Sequence, residues 1–384
     1  MKILIALTYY RPHTSGLTIY AERLARALVK RGHQVRILTS QYIKELPGYE
    51  VKDGVEIYRA PVIARISKGV IMPTFGFMAN RLVADSDLIH LHLPQFDAAG
   101  LALRGRLFKK PTVITYHCDL LMPPGLLSWA ANRAVLFMNH MAGIFTHRIV
   151  AYTHDYAQNS PFLIQFARKI QVILPPVEVS TIPEEEAAAA RDLYHPEGAY
   201  PVIGMAARFA SEKGVEVLLE AMPKILEKYP KARVIFAGQY QKIMGEEAYF
   251  ERLSPIIDRY QKSGNWFFTG NLSPEEMAAF YQSIDILVLP SLNSTESFGL
   301  VQIEAMMHKV PCVASNLPGV RQPITKHKMG EIVPIGDSSA LAEAVIKVAG
   351  APELYQIEPE DLRRMYHPDT IAAEYEKLFQ SIQL

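Results

Sequence analysis

Short apolar runs recur along the whole chain, and many lead into stretches whose apolar residues return every three or four positions. Ile3–Leu7, Val35–Thr39, Val55–Arg59, Leu88–Leu91, Thr112–Tyr116, Ile149–Ala151 and Val172–Leu174 read as strands in the first half. Val234–Gly238, Trp266–Gly270, Ile286–Leu289 and Cys312–Ser315 do so in the second, with another run ending at Ala207. The first run leads into a helical face of Leu17, Ala21, Leu24, Ala25, Leu28 and Val29, closed by Gly32. Runs that are continuously apolar are those of strands covered on both faces. Strands alternating with helices predict doubly wound parallel sheets of the α/β class. At 384 residues the chain exceeds one ordinary core, so two domains are expected.

The composition shifts after Leu174-Pro-Pro-Val177; Pro183–Arg191 reads as a short helix with Pro and acids in its first turn, and with the double proline it makes the expected linker. The expected domains are residues 1–178 and 179–365. A terminal helix over 366–384 carries the stripe Ile371, Tyr375, Leu378, Phe379 and Ile382.

In open α/β sheets, ligands bind beyond the carboxyl ends of strands and against helix N-termini. Ile286–Leu289 is followed by Pro290, a polar loop holding Glu296, and a helical stripe of Leu300, Val301, Ile303, Met306 and Met307. A helix starting there aims the amides of Phe298, Gly299 and Leu300 at an anion. Glu296 and Glu304 flank that anion, and ionised carboxylates accept from hydroxyls such as those of a sugar and a ribose. Arg208 and Lys213 stand five residues apart ahead of another helix, which makes a diphosphate site. In the loop Tyr10–Gly16, Gly16 admits close backbone approach to a phosphate.

Two other groupings carry less. Asp85-Ser-Asp87 precedes a strand, whereas a metal–nucleotide carboxylate pair belongs at a strand's carboxyl end, so it reads as a turn. His90 and His92 share one strand face, but a zinc site needs more ligands.

Over nearly its whole length the chain resembles the GT4 family of retaining glycosyltransferases. Glu296-Ser-Phe-Gly-Leu-Val with Glu304-Ala-Met is similar to that family's E-x7-E segment. Ala207-Arg208 through Lys213-Gly214 is similar to its G-R-L-x-x-x-K-G element, with Ala207 in place of a glycine. The family usually shows two glycines where Gly16-Leu17 stand. The resemblance implies a GT-B fold, two Rossmann-like domains facing across a cleft, with the last helix crossing back onto the first domain. It implies transfer of a hexose-type sugar from a UDP- or GDP-linked donor with its anomeric configuration retained. Glu296, His117, Arg208 and Lys213 take the catalytic roles, His117 contacting the donor sugar. Gly16, Asn271, Leu272, Phe298, Gly299, Leu300 and Glu304 take donor binding, Asn271 and Leu272 meeting the nucleobase through main chain. Asp119 and His92 are the acceptor-side candidates. No cofactor and no metal are implied. An epimerase or hydrolase on the same fold, or a catalytically silent nucleotide-sugar-binding protein, is the alternative.

Net charge is +1, but residues 1–180 hold 21 Lys+Arg against 11 Asp+Glu, and residues 181–384 hold 19 against 28. A basic first half faces something anionic: a phospholipid surface, a lipid-linked or otherwise phosphorylated acceptor, or on charge alone a nucleic acid. No nucleic-acid recognition module is visible. Arg59–Arg81 and Leu126–Phe145 mix apolar and basic residues as interfacial segments do, though the second also reads as a buried helix. Two cysteines and no signal peptide suit a cytoplasmic chain, peripheral on the membrane if the basic half docks there.

Overall fold

The computed structural model describes residues 1–66, 69–120, 126–196, 198–243 and 245–383. It divides into two units: Met1–Val177 with Met365–Leu384, and Glu178–Arg364.

In the first unit the strands are β1 (Lys2–Ala6), β2 (Gln34–Gln41), β3 (Tyr49–Lys52), β4 (Val55–Pro61), β5 (Ala64–Ile66), β6 (Gly69–Ile71), β7 (Leu88–Leu93), β8 (Thr112–Tyr116), β9 (Arg148–Ala151) and β10 (Ile170–Val172). Eight of them form one sheet in the order β10-β9-β8-β7-β1-β2-β4-β3. Every pairing is parallel except β3 with β4. All six β7 residues and all five β8 residues are buried, as the unbroken apolar runs require. Strand order reverses between β1 and β7, so the loops after those strands part there. That gap is the ligand position of an open sheet. The helix Gly16–Lys30 starts at this edge, with Ser15 Oγ accepting from Thr18 N at 3.2 Å. The first amides of that helix have no intrahelical acceptor.

The last helix, Pro368–Ser381, lies in this unit against Gly16–Lys30. Its Tyr375 hydroxyl is 2.6 Å from the Tyr20 hydroxyl, and Arg31 meets Glu376 at 2.6 Å and Asp369 at 2.9 Å.

The second unit holds β11 (Val202–Ala206), β12 (Arg233–Ala237), β13 (Trp266–Gly270), β14 (Ile286–Leu289), β15 (Cys312–Ser315) and β16 (Gly330–Val333). They form an all-parallel sheet in the order β13-β12-β11-β14-β15-β16. Its order reverses between β11 and β14. The two loops richest in candidate residues therefore leave the sheet on either side of the same gap.

Several expectations need correction. Pro183–Arg191 is helical as expected, Pro183 preceding the helix Glu184–Tyr194, but this helix lies inside the second unit, packed on the helix Pro274–Gln282, rather than linking the units. The strand expected at Val172–Leu174 is β10, which ends at Val172. Arg59–Arg81 is no single interfacial segment. It divides into the end of β4, the antiparallel β5–β6 hairpin and the helix Phe75–Ala84. Arg59 is 2% exposed, donating to Glu50 and to the Arg11 carbonyl, because a buried guanidinium needs its donors satisfied. Met72 and Phe75 join the core, while Ile63 and Phe77 stay exposed; Lys68 lies outside the described residues. Leu126–Phe145 is a helix packed on Ala98–Leu107, with Asn139 and Ala142 buried and Phe137 and Ile144 exposed. The Trp129 side chain lies outside the description. Asp85-Ser-Asp87 is the expected turn, with Asp85 paired to Lys2 and Arg36 and Asp87 accepting from the Lys2 amide.

Candidate functional site

The loop after β11 becomes a short 3₁₀ turn, Ser211–Lys213, and then the helix Val215–Lys228. The loop after β14 leads to the helix Leu300–Met307. Backbone joins them, since Leu292 N donates to Glu212 O at 2.9 Å. Gly214 makes the approach possible. Its φ is +69°, and a Cβ there would stand 2.1 Å from the Pro290 carbonyl oxygen. Gly214→Ala is therefore expected to cost at least about 1–3 kcal/mol from backbone conformation alone. Thermal unfolding should show it as a drop of several degrees, and an unchanged midpoint would refute the close contact.

Lys213 Nζ donates to Glu296 Oε2 at 2.8 Å, with both side chains mostly buried. The other carboxylate oxygen, Oε1, accepts from Gly299 N at 3.1 Å. Glu296 thus holds the ammonium in one hand and the mouth of the helix in the other. Burial works against the charged Lys213, but the Glu296 carboxylate and Glu212 outweigh it and raise its pKa above the ordinary lysine value. The Glu296 loop is shaped by Asn293, whose Oδ1 accepts from Thr295 N and Oγ1 at 3.1 and 2.7 Å.

Gly299 caps the helix at φ +77°, where a Cβ would stand 2.5 Å from Leu289 Cδ2. Phe298 is core by side chain, and its carbonyl accepts from Gln302 Nε2 at 3.1 Å. The same amide nitrogen also donates to Val320 O at 2.9 Å, tying two loops to one buried side chain. Leu300 opens the helix, whose first amides lack intrahelical acceptors and carry the positive end of the dipole. Arg208 is half exposed and pairs with Glu212 at 3.0 Å rather than joining Lys213. Glu304 stands one turn into the helix and accepts from the Tyr281 hydroxyl at 2.9 Å. Asn271 and Leu272 follow β13 at the same edge of this sheet. Sequence reasoning missed Glu212, Asn293, Tyr281 and Gln302. Only Asn293, in an Asn-Ser-Thr loop, carried a local signal.

Gly16, His92, His117 and Asp119 belong to the first unit. Gly16 begins its helix as expected. His92 lies in β7 and His117 directly follows the neighbouring β8, which sets His92 Nδ1 2.8 Å from His117 Nε2. His92, offered above as an acceptor-side group, is fully buried and is a partner of His117. His90 lies beside it, Nε2 2.7 Å from Thr115 Oγ1. Burial holds all three imidazoles neutral, His92 down to about 3. Asp119 is also buried, its Oδ1 accepting from Tyr116 and Ser160 hydroxyls at 2.9 and 2.6 Å. Among the described residues no group of three or more His, Cys, Asp or Glu is arranged to hold a metal ion. No helix among them is long and apolar enough to cross a membrane.

Residues 14–181 match the model of glycosyltransferase family 4, and residues 191–359 match that of the glycosyl transferases group 1. An uncharacterized glycosyltransferase of Methanocaldococcus jannaschii is 28% identical over 346 residues, covering 86% of this chain and 84% of that one. The phosphatidyl-myo-inositol mannosyltransferase of Mycobacterium leprae is 24% identical across 100% of this chain and 97% of its own length. Among solved structures, Anabaena HepE in complex with UDP and glucose superposes with a TM-score of 0.76 at 17% identity, covering both chains completely. With the two models spanning successive stretches of both parallel-sheet units, the chain has the GT-B fold and belongs to the group 1, GT4-type glycosyltransferases.

Proposed function

We propose that the protein moves a hexose-type sugar from a nucleoside diphosphate to an anionic, lipid-linked acceptor, with retention at the anomeric carbon. The observation that carries this reading is the Lys213–Glu296 pair at the strand-order reversal of the second unit, beside the open amides of Leu300–Met307. A diphosphate meeting Lys213, Arg208 and those amides is neutralised by preorganised groups as charge builds on the leaving phosphate. Glu296 then offers its oxygens to sugar hydroxyls, and Glu304, steadied by Tyr281, to the ribose. Asn271 and Leu272 supply main chain to the base. The bond from the anomeric carbon to the phosphate oxygen breaks, and the acceptor oxygen bonds to that carbon from the same face. The acceptor's proton passes to the departing phosphate oxygen, so no separate nucleophile or base is required.

The first half's excess of basic residues supports an anionic acceptor. One relative is named for mannosyl transfer to phosphatidyl-myo-inositol, and a structural neighbour is described in complex with UDP and glucose. The test incubates the protein with GDP-mannose, UDP-glucose or ADP-glucose, with and without phosphatidylinositol-containing vesicles. Release of nucleoside diphosphate that depends on the vesicles, with an α-linked glycolipid formed, is expected for one donor. Vesicle binding should weaken as salt rises. Free or isomerised sugar without any acceptor would replace transfer by hydrolysis or epimerisation. Failure to bind anionic vesicles at low salt would remove the lipid acceptor.

A further inference from the structure

In the first unit the loop after β2 and the start of the β5–β6 hairpin border one cavity of about 340 Å³. β2 and β4 are parallel neighbours with Gln41 beside Pro61, so both walls rise from the carboxyl edge of that sheet. The Gln41 side-chain amide donates to the carbonyls of Lys44 at 3.3 Å and Leu46 at 2.6 Å, which curls the loop. Arg65 donates to the Tyr42 carbonyl and ties the hairpin to the loop. The Tyr42 ring stands edge-on to Tyr9 at 5.4 Å and to His13 at 5.8 Å. Tyr9 and His13 lie in the segment that runs into Gly16, so the cavity adjoins the loop offered above for a donor phosphate.

Two cations, Lys44 and Arg65, line the cavity, and no carboxylate does. Glu45 is exposed beside Lys44 in the loop but is not part of the lining. Neither cation pairs with an acid among the described residues. A carbonyl accepts a hydrogen bond without cancelling a charge, so the Arg65 guanidinium keeps its attraction for an anion. Ile63, in the same lining, is 70% exposed. Ile71, whose carbonyl accepts from Ile63 N at 3.0 Å, is exposed as well, and so is Ile43. Cations set among exposed aliphatic carbons suit a ligand that carries an anion and hydrocarbon together. A phospholipid headgroup with its chains is such a ligand.

We propose that this groove seats the acceptor, its phosphodiester meeting Lys44 and Arg65 and its hydrocarbon lying along Ile63 and Ile71. This rests on the lipid-linked acceptor proposed above and gives that acceptor a place in the fold. A free phosphate shares the anion but leaves the isoleucines uncovered.

Calorimetry on the full chain tests the seat without requiring turnover. The probes are dihexanoyl-phosphatidylinositol below its micelle concentration, glycerophosphoinositol and inorganic phosphate. The lipid is expected to bind tightest, the chainless headgroup more weakly and inorganic phosphate weakest. Lys44→Gln and Arg65→Gln should each weaken the first two about fivefold, the worth of one cation near an anionic lipid, and about 25-fold together. Ile63→Ser should weaken the lipid severalfold and leave the headgroup unchanged. UDP and GDP affinity should hold at the wild-type value in every variant, which shows the fold intact. Arg65 also ties the hairpin, so Lys44→Gln carries the decision if Arg65→Gln unfolds. Lipid affinity unchanged by Lys44→Gln would remove the groove and leave the lipid acceptor standing. Wild-type protein that binds neither lipid nor headgroup would remove both. Inorganic phosphate bound as tightly as the lipid would make the cavity a plain phosphate site and overturn the proposal.

Discussion

Glu296→Gln is expected to lower kcat for sugar transfer about 10²–10³-fold while leaving nucleoside diphosphate affinity intact or tighter. The asymmetry follows from the carboxylate's two contacts. The amide that replaces it can still accept from Gly299 N through its oxygen, so the loop keeps its shape. It carries no charge, so Lys213 loses its counter-ion at 2.8 Å and meets a phosphate with nothing to surrender. Burial then acts on Lys213 with only Glu212 opposing it, and its pKa should move down from its raised position. Calorimetry with UDP and GDP, beside steady-state kinetics, checks both halves. Near-normal turnover would take Glu296 out of the chemistry. Loss of affinity with loss of fold would make it a structural tie.

Arg208→Ala combined with Lys213→Ala should abolish measurable nucleoside diphosphate binding. Each charge-assisted hydrogen bond to a phosphate is worth about 1.5–3 kcal/mol, so losing both weakens binding by at least about 100-fold. The two contribute differently. Lys213 is mostly buried and held by Glu296 before any ligand arrives. Arg208 is half exposed and lightly held by Glu212, an exposed ion pair worth about 0–1 kcal/mol, so it can swing to a diphosphate at little cost. Single variants should therefore differ, with Arg208→Ala the milder. Unchanged affinity in the double variant would refute the phosphate assignment.

Strands covered on both faces were legible because their sequences are unbroken apolar runs. The expected bounds of β8, β14 and β15 coincide with those observed. Edge pieces were not: β3 is Tyr-Glu-Val-Lys with little of it buried, and β16 starts at a glycine beside a glutamate. An edge strand needs only one neighbour and so imposes little pattern on its residues. In the same way, motifs were visible but partnerships were not. Lys213 and Glu296 were separate candidates 83 residues apart, and the sheet's strand order brings them into contact. Gln302 looked like one more residue on an apolar helix, yet its amide anchors the carbonyls of Phe298 and Val320. His92 and His117 were both noticed, but parallel pairing of β7 with β8 makes one the support of the other.

The placement of Pro368–Ser381 has a consequence for how the protein is made. The sheet of the first unit emerges early from the ribosome, but the seam formed by Tyr20, Thr115 and His90 is covered only when Tyr375 arrives, some 260 residues after Thr115. Until that helix has been synthesised, the nascent half holds hydroxyls and an apolar groove awaiting their cover. Cutting the chain after Val177 accordingly would not yield a self-sufficient fragment, because the missing stave follows the whole of the second unit.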